Sequence, residues 1–307
     1  MVDCAYVFPG QGAQYPGMGK DLYNNYDVAK EAFEQANRAL GFDIAKICFE
    51  GPAEELTKTE NCQPAILTVS IAAFKAFRIQ NKRFEPRIML GLSLGEYSAL
   101  VASGALAFGD AVRLVRLRGQ FMEEAARQFP GKMLSVIGLP FETVEEISKE
   151  AGCEVANLNC PGQVVLSGSV ESIDKAAVIS KQKGAARAMA LNVSGAFHSS
   201  LMSQAGQRLR EEIAKVSFFE PEIPVVSNVN ATPEADPEDI KENLIDQVSC
   251  PTRWEESVRY VASKKINTFL EIGPGKVLKG LIKRIDPSLL VHNIENSEDI
   301  KSLLINA

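Results

Sequence analysis

The sequence predicts an α/β protein in which a mostly parallel sheet carries an inserted βαββαβ unit. Three observations predict it. Short apolar runs bounded by Gly, Pro or Asn alternate with helical patterns along most of the 307 residues. From about Gly131 to Asn192 the rhythm changes to strand, helix, strand, strand, helix, strand. The α/β alternation then resumes, so this unit interrupts a larger domain.

In chain order, "CAYVF" reads as the first strand and runs into the glycine-rich turn "PGQGAQYPGMG". Helical spacing covers 62–80, "RIMLG" forms a second strand, and helical patterns follow over 94–104 and 110–127. The inserted unit reads "KMLSVIG", "ETVEEISKEA", "CEVANLN", "QVVLSG", "VESIDKAAVISKQKG" and "AARAMALN", the order of the ferredoxin-like split unit. A helix over 199–215, the strand "IPVVSNV", a helix over 254–265 and the strands "NTFLEIG" and "LLVHNI" complete the chain. The expected division is a large subdomain of residues 1–128 and 196–307 and a small one of residues 129–195. A cleft between them is a natural ligand site.

Composition narrows the function classes. Hydrophobic residues at 46% and charged residues at 23% fit an ordinary soluble globular protein. A net charge of −6 without a long basic run argues against nucleic acid. The short apolar start, with Asp3, is neither a signal peptide nor a membrane span, so no membrane partner is expected. Six cysteines lack any C-x-x-C pair and the chain has two histidines, which argues against a metal site. Reduced thiols and a cytoplasmic location are expected.

The stretch "GLSLG" places Ser93 between Gly91 and Gly95, at the end of an apolar strand and the start of a helix. A simple turn could use these residues; the G-x-S-x-G spacing also fits a nucleophile elbow. A serine nucleophile needs a base. His292 lies inside the apolar run "LLVHNI", where a structural role is the ready reading, whereas His198 lies in "VSGAFHSSLM", a junction beside the cleft. On the helix 110–127, positions 111, 114, 115, 118, 122 and 125 share one face, and Arg118 is the only charge on that stripe, beside Met122. The other arginines of this helix read as solvated. An inward guanidinium needs a partner. Either an internal acid pairs with Arg118, or its planar fork clamps a ligand carboxylate. The two glycine-rich turns, "PGQGAQYPG" and "EIGPGKVLKG", each lack the third glycine of G-x-G-x-x-G, having Tyr15 and Leu278 there.

Together "FPGQGAQYPGMG", "GLSLGEYSALVASGAL", "RLRGQFMEEA", "ANLNCPGQVVLSG", "VSGAFHSSLM", "QVSCPTRWEESV" and "EIGPGKVLKGLIKRI" resemble the malonyl-CoA:acyl-carrier-protein transacylases of fatty-acid and polyketide synthesis. The resemblance spans the whole chain. It implies an α/β-hydrolase-like core with a ferredoxin-like insert. It also implies Ser93 as nucleophile, His198 as base, the amides of Leu94 and Gln11 as oxyanion hole, and Arg118 as the malonyl clamp. The main-chain carbonyl of Gln247 would orient His198. Asn157, Gln163, Met122 and Phe197 would lie at the substrate, Phe197 preceding the histidine as in malonyl-selecting members. Many members have histidine before the nucleophile; here Leu92 stands there. The implied reaction is a ping-pong transfer from malonyl-CoA to an acyl carrier protein, with no cofactor or metal, since coenzyme A and phosphopantetheine are substrates. Docking of an acidic carrier would need a local basic patch, for which "KVLKGLIKR" and "KQKGAAR" are candidates, though both read equally well as ordinary solvated faces. A serine hydrolase using the same Ser93 and His198, and a dinucleotide-binding protein using the glycine-rich turns, are the rival readings.

Overall fold

The computed structural model describes residues 1–305. The first half contains β1 (Val2–Phe8), α1 (Lys20–Asn25), α2 (Asp27–Leu40), α3 (Ile44–Glu50), α4 (Ala53–Thr57), α5 (Thr59–Gln80), β2 (Phe84–Gly91), α6 (Leu94–Ala102) and α7 (Phe108–Gln128). Next come β3 (Gly131–Ile137), α8 (Phe141–Ala151), β4 (Glu154–Cys160), β5 (Gln163–Ser169), α9 (Val170–Gln182) and β6 (Arg187–Ala190). A 3₁₀ turn at Ser200–Met202 leads into α10 (Ser203–Ile213), β7 (Val225–Val226), β8 (Pro233–Glu234), α11 (Pro237–Asp246), α12 (Trp254–Ser263), β9 (Thr268–Ile272), α13 (Val277–Ile285), β10 (Leu290–Ile294) and α14 (Ser297–Ile305).

Two sheets organise these elements. The larger has the order β10-β9-β1-β2-β7-β8 and is parallel except for the β7–β8 pair. The smaller, β4-β5-β3-β6, is antiparallel throughout, the strand order that a ferredoxin-like βαββαβ unit gives. It is inserted between α7 and α10, as expected.

The central strand β1 shows why the larger sheet is covered on both faces. Alternate side chains point to opposite faces. Cys4, Tyr6 and Phe8 enter one apolar cluster, and Ala5 and Val7 enter the other. Parallel strands buried on both sides read as continuous apolar runs, which is the sequence signal seen here. "IPVVSNV" contributes less strand than its composition promised. Only Val225–Val226 pair, because the chain turns back at once through the Ser227 N–H to Thr232 O bond (3.0 Å) into β8.

Helices α5 and α7 cross tightly behind the site. A Cβ on Gly119 would sit 2.7 Å from Glu60 Cα, so only glycine permits this approach. Pro64, inside α5, has no N–H for the carbonyl of Glu60 four residues earlier. Arg116 Nη1 supplies the missing donor at 2.8 Å, while Nη2 pairs with the Glu60 carboxylate at 3.0 Å. Arg116 is thus half-buried and structural, correcting its reading as a solvated arginine. Among the described residues α5 is the one helix long and apolar enough to cross a membrane, and 78% of that window is buried within the fold.

Candidate active site

The nucleophile elbow follows from crowding at the carboxyl ends of β1 and β2. Ser93 lies between β2 and α6 with φ 51° and ψ −106°, outside the regions L-residues favour. A Cβ on Gly91 would lie 2.0 Å from the Gly95 carbonyl carbon, and one on Gly95 would lie 2.1 Å from Phe8 O. Both glycines of G-x-S-x-G are therefore required by the turn. Gly10 obeys the same constraint, since a Cβ there would lie 2.3 Å from Leu92 O. That contact packs the "PGQG" turn against the elbow.

Asn228 fixes the elbow from below. Its Oδ1 accepts the Ser93 N–H at 2.6 Å and its Nδ2 donates to Gly91 O at 2.6 Å. Such a doubly bonded side chain can hold a backbone conformation that would otherwise cost about 1–3 kcal/mol. The amides of Gly95 and Glu96 turn back to Leu92 O and Ser93 O. No acceptor within the chain meets the Leu94 amide among the described residues. Leu94 and Gln11 both line the cavity, so the two expected oxyanion donors lie on the same pocket as Ser93.

His198, also at positive φ (57°), brings Nε2 to 3.0 Å from Ser93 Oγ. Its Nδ1 donates to the main-chain carbonyl of Gln247 at 2.7 Å. The carbonyl can only accept, so the proton sits on Nδ1 and the Nε2 lone pair faces the serine hydroxyl. Burial, reinforced by the positive charge of Arg118, depresses the His198 pKa to about 4. The imidazole is neutral near pH 7 and able to take a proton. His292 is half-buried on β10, its ring 5.9 Å from that of Phe84, and does not line the cavity.

Arg118 is 2% exposed. Its guanidinium donates to Gln63 Oε1 (2.8 Å), Gln247 Oε1 (3.0 Å) and Ser93 Oγ (3.1 Å), all neutral oxygens. Among the described residues no carboxylate forms an ion pair with it, which sets aside the internal salt bridge. The Tyr97 ring lies beneath it, 5.7 Å from the guanidinium carbon. A buried cation held only by neutral groups, next to a serine hydroxyl, can receive an anionic ligand.

These groups share a cavity of about 420 Å³. Met122 and Phe197 form apolar walls, and Leu92 lines it in place of a histidine. Asn157 reaches the cavity from β4, its amide bonded to Thr252 Oγ1. Gln163 does not reach it. It opens β5, at the far end of the β4–β5 hairpin, where Arg284 Nη1 donates to its Oε1 at 2.6 Å. Its assignment to the substrate site is therefore corrected. The reading from sequence also missed Asn228, Gln63 and the side chain of Gln247. Buried amides carry no periodic signal, and only a polar residue on a buried helix face, such as Gln63, marks one.

The other glycine-rich turn has a different use. The buried Glu271 carboxylate accepts the amides of Leu278 (2.9 Å) and Lys279 (2.8 Å) at the start of α13. Both oxygens of an internal carboxyl group thus occupy the helix end that a phosphate would take, which removes the basis for a dinucleotide site at this turn.

Known proteins resemble this chain in sequence and in fold. The acyl transferase domain family matches residues 5–298. The malonyl CoA-acyl carrier protein transacylase of Bacillus subtilis strain 168 is 44% identical over 306 residues, 98% of this chain and 96% of that protein. A solved malonyl CoA-acyl carrier protein transacylase from Coxiella burnetii superposes with a TM-score of 0.96 at 39% identity, over 99% of this chain and 97% of its own. A type II polyketide acyl-carrier protein in complex with its malonyl-transacylase gives a TM-score of 0.96 at 38% identity, over 100% of both chains. With this similarity running the length of the chain, and with the strand-turn-helix serine already in place, the protein belongs to the acyl transferase family, among the malonyl-CoA:acyl-carrier-protein transacylases.

Proposed function

We propose that the protein transfers a malonyl group from malonyl-CoA to the phosphopantetheine thiol of an acyl carrier protein, through a malonyl ester on Ser93. The observation that carries this reading is Arg118, a buried guanidinium without a carboxylate partner, 3.1 Å from the hydroxyl that would be acylated. The names of the relatives support the same substrates.

In the first half-reaction His198 Nε2 takes the Ser93 hydroxyl proton as Oγ bonds to the thioester carbonyl carbon. The amides of Leu94 and Gln11 receive the oxyanion, and Arg118 holds the distal carboxylate. The carbon–sulfur bond then breaks, and the imidazolium gives its proton to the departing coenzyme A thiolate. In the second half-reaction His198 takes the pantetheine thiol proton and sulfur attacks the ester. The proton returns to Ser93 as the carbon–oxygen bond breaks. Both thioesters are substrates, and the steps call for no resident cofactor or metal.

Residues 129–195 act in this reading as the small subdomain, contributing Met133, Asn157 and Asn192 to the cavity wall. The six cysteines, all free, support a cytoplasmic location. Intact-protein mass spectrometry after mixing with malonyl-CoA tests the proposal. One malonyl adduct that a holo carrier protein removes is the expected result. Absence of an adduct, or its loss to water as fast as to the carrier, would overturn it.

A further inference from the structure

Glu96 is fully buried in the first turn of α6, three residues beyond Ser93. Its Oε1 has no hydrogen-bond partner, so its whole influence passes through Oε2. That oxygen accepts the Asn228 N–H at 2.8 Å and Gln247 Nε2 at 2.8 Å. Asn228 is the residue that pins the elbow. Gln247 is the residue whose backbone carbonyl holds His198.

The bond to Gln247 has a directional consequence. An amide presents an oxygen on one side and an NH₂ on the other. With Nε2 committed to Glu96 and, at 3.2 Å, to the Ser93 carbonyl, Oε1 must face Arg118 Nη2, 3.0 Å away. The opposite orientation would set NH₂ against guanidinium, donor against donor. We infer that Glu96 is a positioning residue for carboxylate selection: its Oε2 fixes which way the Gln247 amide faces, and thereby holds Arg118 beside the reacting serine. The inference rests on the malonyl-transfer reading and adds a residue to it.

The form of Glu96 suits this part. Burial, with the Glu234 carboxylate adding to it, pushes its pKa well above the ordinary carboxylate range. Oε2 accepts both N–H groups while Oε1 stays unpartnered, so the contact of Glu96 with Arg118 runs through the Gln247 amide. A glutamine of nearly the same shape can offer the same carbonyl oxygen.

Self-acylation of the full chain by malonyl-CoA and by acetyl-CoA, measured as kcat/KM for wild type, Glu96→Leu and Glu96→Gln with melting curves, tests this. Glu96→Leu is expected to lower the malonyl-to-acetyl preference by about 10- to 100-fold, the scale of one hydrogen bond to a charged group. Glu96→Gln is expected to restore the preference to within about threefold of wild type. Equal losses for both thioesters in Glu96→Leu would reduce Glu96 to a packing role and overturn the inference. A preference lost as fully in Glu96→Gln would do the same, because the acceptor oxygen remains. If the leucine variant does not fold, the glutamine variant decides alone by the same criterion. Failure of wild type to label with malonyl-CoA would sink the transfer reading itself, a separate result from an unchanged preference in the variants.

Discussion

Ser93 Oγ sits between two opposed partners, His198 Nε2 at 3.0 Å and Arg118 Nη2 at 3.1 Å. The imidazole nitrogen is placed to take the hydroxyl proton, while the guanidinium donates to the same oxygen. A base and a buried cation thus meet at one atom.

Ser93→Ala should abolish labelling by malonyl-CoA and leave the fold intact. Glycine and Asn228 contacts hold the elbow through its backbone, so the lost hydroxyl removes little packing. Full labelling of this variant in the mass spectrometer would exclude Ser93 as nucleophile.

His198→Ala should slow acylation by about 10²–10⁴-fold, the usual worth of a general base. His292→Ala should change it little, since that ring packs against Phe84 away from the cavity. The pH profile follows from the His198 pKa of about 4. The base acts when neutral, so acylation should be level across neutral pH and fall only as pH drops toward that value. Stopped-flow acylation rates that fall instead through a pKa near 6.5 would contradict the depressed value.

Arg118→Ala separates ligand recognition from scaffold support. Loss of one member of a desolvated charged pair costs on the order of 2–5 kcal/mol, or roughly 30- to several-thousand-fold. The malonyl-CoA rate should fall by that factor, while the acetyl-CoA rate holds or rises. Equal losses with a lowered melting temperature would mark Arg118 as structural.

Gly91→Ala should destabilise the protein by on the order of 3 kcal/mol, because the added methyl meets backbone that cannot withdraw. Its contact would be the Gly95 carbonyl at 2.0 Å, within the elbow itself. A melting curve unchanged from wild type would refute the packing account of the motif.

Carrier docking should be salt-sensitive and local. On α13, Lys283 is occupied by Pro287 O (3.0 Å) and Arg284 by Gln163, which makes Lys279 the better probe. Lys279→Glu should slow transfer to the carrier several-fold at low salt, with the difference shrinking as salt rises. Labelling by malonyl-CoA should be unaffected. Unchanged transfer at low salt would remove this helix as the docking surface.

The residues that the sequence marked and the structure brings together are those whose chemistry breaks a local pattern. Ser93 interrupts an apolar strand between glycines, and Arg118 is a lone charge on an apolar stripe. The split order of strands 131–190 declared the second sheet because each strand was long enough to show its composition. Asn228 and Gln63 escaped because a buried amide is recognised by its partners, and those lie 135 and 55 residues away. The expected strand at 223–229 was overextended because β-rich composition does not reveal a turn that begins after two paired residues. Gln163 was carried into the site by resemblance alone, and the hairpin geometry directs it to Arg284 instead.

The bridge between β4 and the loop before α12 has a mechanical consequence. Leu158 N donates to Thr252 O at 2.9 Å, Thr252 N donates to Ala156 O at 2.9 Å, and the Asn157 amide bonds the Thr252 hydroxyl. The inserted sheet is already tethered where the chain enters and leaves it, so this stitch is a third anchor. Any swing of the inserted sheet away from the larger one would have to break these bonds as well as bend the two chain crossings.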